Sequence, residues 1–268
     1  MKKLIALVLC VALAVSMVCV ASADAALDRI QAAGQLIVET EATYPPYEYL
    51  NDDGTFGGCD IWLAQQIADA LGVTLVVRDT AFDSIITDIQ QGSGDLGIAA
   101  FTRTEERAQV IAFSNLYETS RQVLVVKAGN EELYSTKEAL AGLKVGAQMG
   151  TVQSQLVTSA LPDSELFELE AYGPLALEVK NGNIAGFVAD GAVGESYVAS
   201  SDGALAVSNF EFTAEEASFG KAVVMQQGNN DLLAAVNAVI DRVTADGSYQ
   251  AAYDEAVAAT SATVTDLP

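Results

Sequence analysis

A strand-then-helix beat repeats along this chain and restricts its fold more than any other feature. Residues 35–40 read as an apolar strand centred on Leu36-Ile37-Val38. An amphipathic helix follows over 60–71, with Ile61, Leu63, Ala64, Ile67 and Leu71 available for its buried side and Gly72 to close it. The beat returns as strand 74–78, helix 82–91 stopped by Gly92, and strand 96–100. From Lys137 a second series runs through strands 143–148, 166–170 and 184–188, with helices 153–160, 175–183 and 192–199 between and after them. Strands 122–126 and 217–225 and helices 230–246 and 248–258 complete the pattern. Such alternation predicts an α/β protein with parallel-dominated sheets and helices on both faces. Ligands then bind at the carboxyl ends of the strands.

Three of those strand ends carry residues suited to a site. Tyr44 lies in Glu41-Ala42-Thr43-Tyr44-Pro45-Pro46-Tyr47, where two prolines predict an extended loop. Phe82 follows strand 74–78, and Ala99-Ala100-Phe101-Thr102 stands at the end of strand 96–100. Thr102 with Glu105 fits a capping box and Thr104 is a second candidate cap, which puts Arg107 in or near a helix first turn. A cation is disfavoured there. Two readings fit Arg107: a solvated ion pair with Glu105 and Glu106, or a guanidinium sharing a bound anion with backbone amides. Gly150-Thr151 and Asp190 also stand where strands hand over to helices, and each reads as a cap or as part of a site.

Composition removes many functions. The 268 residues carry 13 Lys+Arg against 36 Asp+Glu, a net charge of −23 that disfavours nucleic acid and anionic membranes as partners. Histidine is absent, so Ser-His-Asp and Cys-His catalysis and His-ligated metals are excluded. No nucleotide motif or calcium loop occurs, and neither cofactor nor metal is expected. No surplus pair of cleft acids is evident. Cys10 and Cys19 fall in an N-terminal segment, leaving Cys59 alone as a small buried filler.

That segment, 1–23, has the form of a signal peptide. Met1-Lys2-Lys3 is basic, 4–20 is apolar, and Ala21-Ser22-Ala23 is a small-residue cleavage site, with a second cut after Ala25. Val18 stands before Cys19 where a lipidated cysteine normally follows a small residue, so no lipid anchor is expected. The expectation is export to the periplasm or the cell exterior.

Taken in order, these stretches resemble the extracellular solute-binding proteins of polar amino-acid ABC importers, the family 3 type of periplasmic binding protein. The markers are Thr43-Tyr44-Pro45-Pro46-Tyr47, Gly58-Cys59-Asp60, Phe82-Asp83-Ser84-Ile85-Ile86, Thr102-x-Thr104-x-x-Arg107 with Phe113-Ser114, Gly150-Thr151, Asp190 and Asp246-Gly247-Ser248-Tyr249. The resemblance implies a two-lobed type II fold, each lobe a mixed sheet flanked by helices, with two hinge crossings. Lobe one would comprise 24–120 and 220–268, the latter including the tail, and lobe two 121–219.

It also implies roles. Arg107 would pair with a ligand α-carboxylate, helped by Thr102 and the amides near Thr151 and Val152. Asp190 would take the α-ammonium, with carbonyl help near Ala100. Tyr44 and Phe82 would sandwich the side chain. Glu41 stands where acids occur in binders of basic amino acids, and Gln148 would also face the pocket, so a Lys, Arg or ornithine ligand is expected, with glutamine or another polar amino acid left open. The family often has Phe or Ile at Cys59 and Ser or Gly near Ala99 and Ala100. The implied function is non-enzymatic: a monomer delivering an amino acid to a membrane permease. The competing readings are a dehydratase of the cyclohexadienyl or arogenate type on the same scaffold, and a ligand-sensing module.

Overall fold

The structure, a computed structural model, describes residues 25–262. Residues 1–23, read above as a signal peptide, with Cys10 and Cys19, and the end of the tail lie outside them. Helix α1 (Ala25–Ala33) precedes β1 (Gln35–Thr40); β2 (Thr43–Tyr44), β3 (Glu48–Leu50) and β4 (Phe56–Gly57) form a small antiparallel sheet. The Pro45-Pro46 segment is therefore a turn and not an extended loop: Tyr44 pairs with Glu48 across it. Helix α2 (Cys59–Leu71) buries Leu63, Ala64, Ile67 and Ala68 on one stripe. Strand β5 (Thr74–Asp79), α3 (Phe82–Gln91) and β6 (Leu96–Gly97) follow, then the single turn α4 (Glu105–Ala108) and the long β7 (Ala112–Lys127).

The second series comprises β8 (Lys144–Gln148), α5 (Val152–Ala160), β9 (Glu165–Leu169), α6 (Tyr172–Asn181), β10 (Gly186–Asp190), α7 (Gly191–Ala199) and β11 (Leu205–Val207). The turn α8 (Ala214–Ala217) leads into β12 (Ser218–Met225), and α9 (Asn230–Ala245) and α10 (Ser248–Ala262) finish the described chain. Among the described residues no helix is long and apolar enough to cross a membrane.

The strands follow the order β5-β1-β6-β12-β7-β10-β8-β9, with β11 also on β7. Parallel pairs (β1 with β5 and β6, β8 with β9 and β10) lie on the flanks, and antiparallel pairs surround β7 and β12. β7 belongs to both halves. Its first part, up to Arg121, pairs with β12, and from Gln122 onward it pairs with β10. The result is two α/β lobes sharing one strand. β7 starts ten residues before the predicted 122–126, because 112–121 mixes polar and apolar residues without alternation and borrows its partners from β12.

β6 is shorter than predicted for a different reason. Ala100 adopts a left-handed φ of 47°, and its N–H is taken by the Asp60 carboxylate at 2.8 Å. A non-glycine residue holds such a backbone only when its surroundings over-determine it. The chain therefore leaves the sheet at the point where Ala99 and Ala100 meet the cavity described below.

Candidate functional site

The strand ends converge on one cavity of about 20 Å³ between the lobes. That is room for about one water molecule. Of the residues singled out from sequence, Glu41, Tyr44, Phe82, Ala100, Thr102 and Arg107 line it from the first lobe, and Thr151 and Val152 from the second. Gln148 lines it as well, and so do Glu48 and Gln153, which sequence reasoning missed.

Arg107 is held from several sides. Its backbone N–H donates to the Thr104 hydroxyl at 3.1 Å, so Thr104 and not Thr102 caps α4, leaving the Thr102 side chain at the cavity. Arg107 Nη1 donates to the Thr102 carbonyl at 2.8 Å and Nη2 to the Gly150 carbonyl at 2.9 Å. Its Cζ lies 5.5 Å from the ring centroids of both Phe82 and Phe101, which stack at 4.7 Å. Burial lowers its pKa to about 10, leaving it cationic at neutral pH. Glu105 and Glu106 are exposed, and the bridge that Glu105 makes is to Arg103, at 4.0 Å. Two of the five guanidinium donors are used in the two carbonyl bonds, and the fork is suited to a carboxylate.

On the second lobe, Thr151 caps α5: its hydroxyl accepts from Ser154 N at 3.2 Å and donates to the Gln148 carbonyl at 2.6 Å. The first-turn amides of a helix have no partner within it, and those of α5 begin at the cavity wall. Gly150 has φ 75°, and a Cβ there would meet Asp83 Cβ of the first lobe at 2.9 Å. Only a residue without a side chain permits that approach.

Two acids share the cavity. Glu41 is buried, which raises its pKa against the hydrogen bonds from Thr43 and Gln148. Glu48 is 1% exposed; burial and then the neighbouring Asp60 carboxylate push its pKa well above the ordinary 4.5. Glu48 Oε2 and Asp60 Oδ1 are buried oxygens without a donor, and a proton on Glu48 given to Asp60 satisfies both. Asp60 Oδ2 meanwhile accepts from Ala100 N at 2.8 Å and the Tyr117 hydroxyl at 2.9 Å. The sequence showed no pair of cleft acids; the structure has one in Glu41 and Glu48. The signal for Glu48 was an acid flanked by aromatics in Tyr47-Glu48-Tyr49.

Asp190 stands apart from these lining residues. It does not line the cavity. It sits at the N-cap position of α7 without capping it, and its buried carboxylate accepts from the Tyr44 hydroxyl at 2.6 Å, from Ser120, from Gln122 and from Lys221. Lys221 is fully buried, 4.5 Å from the Tyr47 ring centroid. Burial opposes both charges, but their mutual attraction outweighs it: the Asp190 pKa is lowered and the Lys221 pKa raised. The ammonium that Asp190 holds is thus the chain's own. Lys221 is the lone cation in the otherwise uncharged Ser218–Met225 strand, a signal the sequence carried unused.

Several of these contacts join the lobes directly. Tyr44 reaches Asp190, Arg107 reaches Gly150, and the Tyr197 hydroxyl donates to the Thr43 carbonyl at 2.9 Å. Gln153 Nε2 completes the polar wall through Gln122 at 2.9 Å. Cys59 is buried and unbridged, 3.5 Å from the Tyr249 hydroxyl.

Comparison with known proteins gives consistent matches. The family model for bacterial extracellular solute-binding proteins, family 3, matches residues 36–258. The L-cystine-binding protein TcyJ of Escherichia coli (strain K12) is 30% identical over 225 residues, covering 84% of this chain and 83% of that protein. The amino acid ABC transporter substrate-binding protein AbpA from Streptococcus pneumoniae Canada MDR_19A, bound to L-arginine, superposes with a TM-score of 0.83 at 30% identity, over 87% of this chain and 98% of that one. The ancestral amino-acid-binding protein AncCDT-1, a precursor of cyclohexadienyl dehydratase, gives 0.77 at 29% identity over 85% and 97%.

Proposed function

The chain belongs to the bacterial extracellular solute-binding proteins, family 3, and from that premise we propose that it captures an amino acid between its lobes and delivers it to the permease of an ABC importer. It acts after export, as a monomer, with lobe two spanning 121–219. Arg107 clamps the ligand carboxylate, with the Thr102 hydroxyl and the first amides of α5 at Thr151 and Val152 sharing the charge. Tyr44 and Phe82 flank the ligand side chain, and Ala99 and Ala100 leave it room. Glu41 takes a positive group, which favours a basic amino acid.

One observation carries this reading: a guanidinium with donors to spare shares a small cavity with buried acids and aromatic faces. A ligand bearing both charges completes contacts on both lobes only when they are closed, so it favours the closed state. The test is calorimetric titration with all twenty amino acids plus ornithine and cystine. We expect a basic amino acid to bind below about 1 μM. No ligand tighter than about 100 μM would overturn the reading.

A second reading has one observation in its favour. A buried carboxyl whose pKa burial and Asp60 push well above the ordinary value, Glu48, faces the cavity and is suited to general acid chemistry. Incubating the purified protein with prephenate and arogenate decides it: turnover that disappears in Glu48→Gln would make this an enzyme.

A further inference from the structure

We propose that Lys221 stands in for a ligand ammonium at Asp190, so that the cavity accepts carboxylates lacking an α-amino group about as well as the matching amino acids. The proposal rests on the capture reading above and sharpens its ligand class.

An ionised carboxylate offers about four lone-pair sites. At Asp190 four donors fill them: Ser120 and Gln122 on Oδ1, Tyr44 and Lys221 on Oδ2. A ligand ammonium would have to displace one. The displaced partner would be a buried side chain (Lys221, Tyr44 or Gln122) or the half-buried Ser120 on β7. Lys221 is the least able to leave. It is 0% exposed, is fixed in the ladder opposite Glu118, and has Tyr47 beneath its ammonium. Stripping a buried charge of its partner is strongly unfavourable.

The pair also closes the hinge. Lys221 lies on β12, which pairs with the first-lobe part of β7, whereas Asp190 ends β10, which pairs with the second-lobe part. An ion pair formed by the chain itself therefore spans the lobes at the place where a bound amino group would otherwise tie them together. Tyr44, bonded to the same carboxylate, presents its ring to the cavity in Asp190's stead. What remains for the ligand is Arg107 for a carboxylate and Glu41 for a distal cation.

Two measurements test this. The first needs no ligand. Asp190→Asn removes the charge opposite a buried ammonium, so its melting temperature should fall by several degrees, and Lys221→Met on the same background should restore most of the loss. Asp190→Asn melting with the wild type would overturn the proposal. Lys221→Met alone leaves Asp190 with three donors and is expected to fold.

The second measurement compares L-arginine with 5-guanidinopentanoate, the same molecule without its amino group, by calorimetry. Should arginine not bind, the amino acid returned by the panel is compared with its desamino acid. We expect the wild type to bind the two within about threefold and Lys221→Met, with Asp190 released, to favour the amino acid by about tenfold or more. A wild-type preference of tenfold or more for the amino acid, abolished in Asp190→Asn, overturns the proposal. Binding of the desamino acid alone supports it while sinking the amino-acid reading. If nothing binds, the capture reading fails and the melting series decides the fate of the ion pair.

Discussion

Arg107 Nη2 donates to the Gly150 carbonyl at 2.9 Å, so the cation that lines the cavity is also a strut between the lobes. Both duties fall on one guanidinium, and a substitution removes both. Arg107→Ala should weaken ligand binding about 100-fold or more, in line with about 3 kcal/mol for a charge-assisted pair. Arg107→Lys should recover little of it, because an ammonium cannot reproduce the planar fork over Phe82 and Phe101. Titration calorimetry reads the affinity; unchanged binding would place the carboxylate elsewhere.

Gly150→Ala should leave each lobe folded and hinder their approach. The new methyl would meet Asp83 at 2.9 Å, and a φ of 75° is itself unfavourable for alanine by about 1 kcal/mol. The expected result is an affinity loss of about tenfold, with a radius of gyration in saturating ligand closer to that of the free protein. Small-angle scattering checks it, and full compaction with ligand would contradict it.

The Glu48 proton has a predictable effect on stability. Folded Glu48 keeps its proton where the unfolded chain, with the ordinary value of 4.5, has released it. Its contribution is therefore fully present below pH 4.5 and is lost as pH rises toward the elevated folded value. Glu48→Gln should flatten the decline of the urea midpoint between that pH and neutrality. Asp60, Glu41 and Glu118, also raised by burial, act with the same sign and keep some slope in the variant. An equally steep profile in Glu48→Gln would refute the assignment.

Gly58→Ala should be among the costliest single-methyl changes in the chain. At φ 114° a Cβ would lie 2.1 Å from the Tyr47 carbonyl oxygen, which is backbone and already accepts from Asp60 N at 2.9 Å. We expect a loss of more than about 3 kcal/mol by denaturant unfolding, with Asp60 dislodged from Ala100.

What could be read from the sequence was local. Helix 60–71 announces itself by its apolar stripe, and Gly72 and Gly92 mark true helix ends because those signals need no distant partner. Tyr44 and Phe82 stand out because they follow strand ends, which topology brings together, and Arg107 because it is a cation in a helix first turn. Glu48 and Lys221 were missed because their meaning is entirely tertiary. One shares a proton with a carboxylate twelve residues away, and the other crosses from β12 to the end of β10. The first part of β7 was missed for the same reason, since its polar residues become strand only when β12 arrives. Asp190 reads from sequence as an ammonium partner, and in the structure it holds the Lys221 ammonium.

The ladder that pairs Arg121 with Ser218 has a consequence for how the protein is assembled. Seen from the first sheet, residues 122–217 are a single enormous hairpin loop whose two ends sit one rung apart. Closing a floppy loop of that length would cost about 4 kcal/mol in chain entropy. A middle segment already folded on its own strands, with its ends held side by side, removes most of that cost. The second lobe thus serves as the turn of the first, a cassette hung from a single rung.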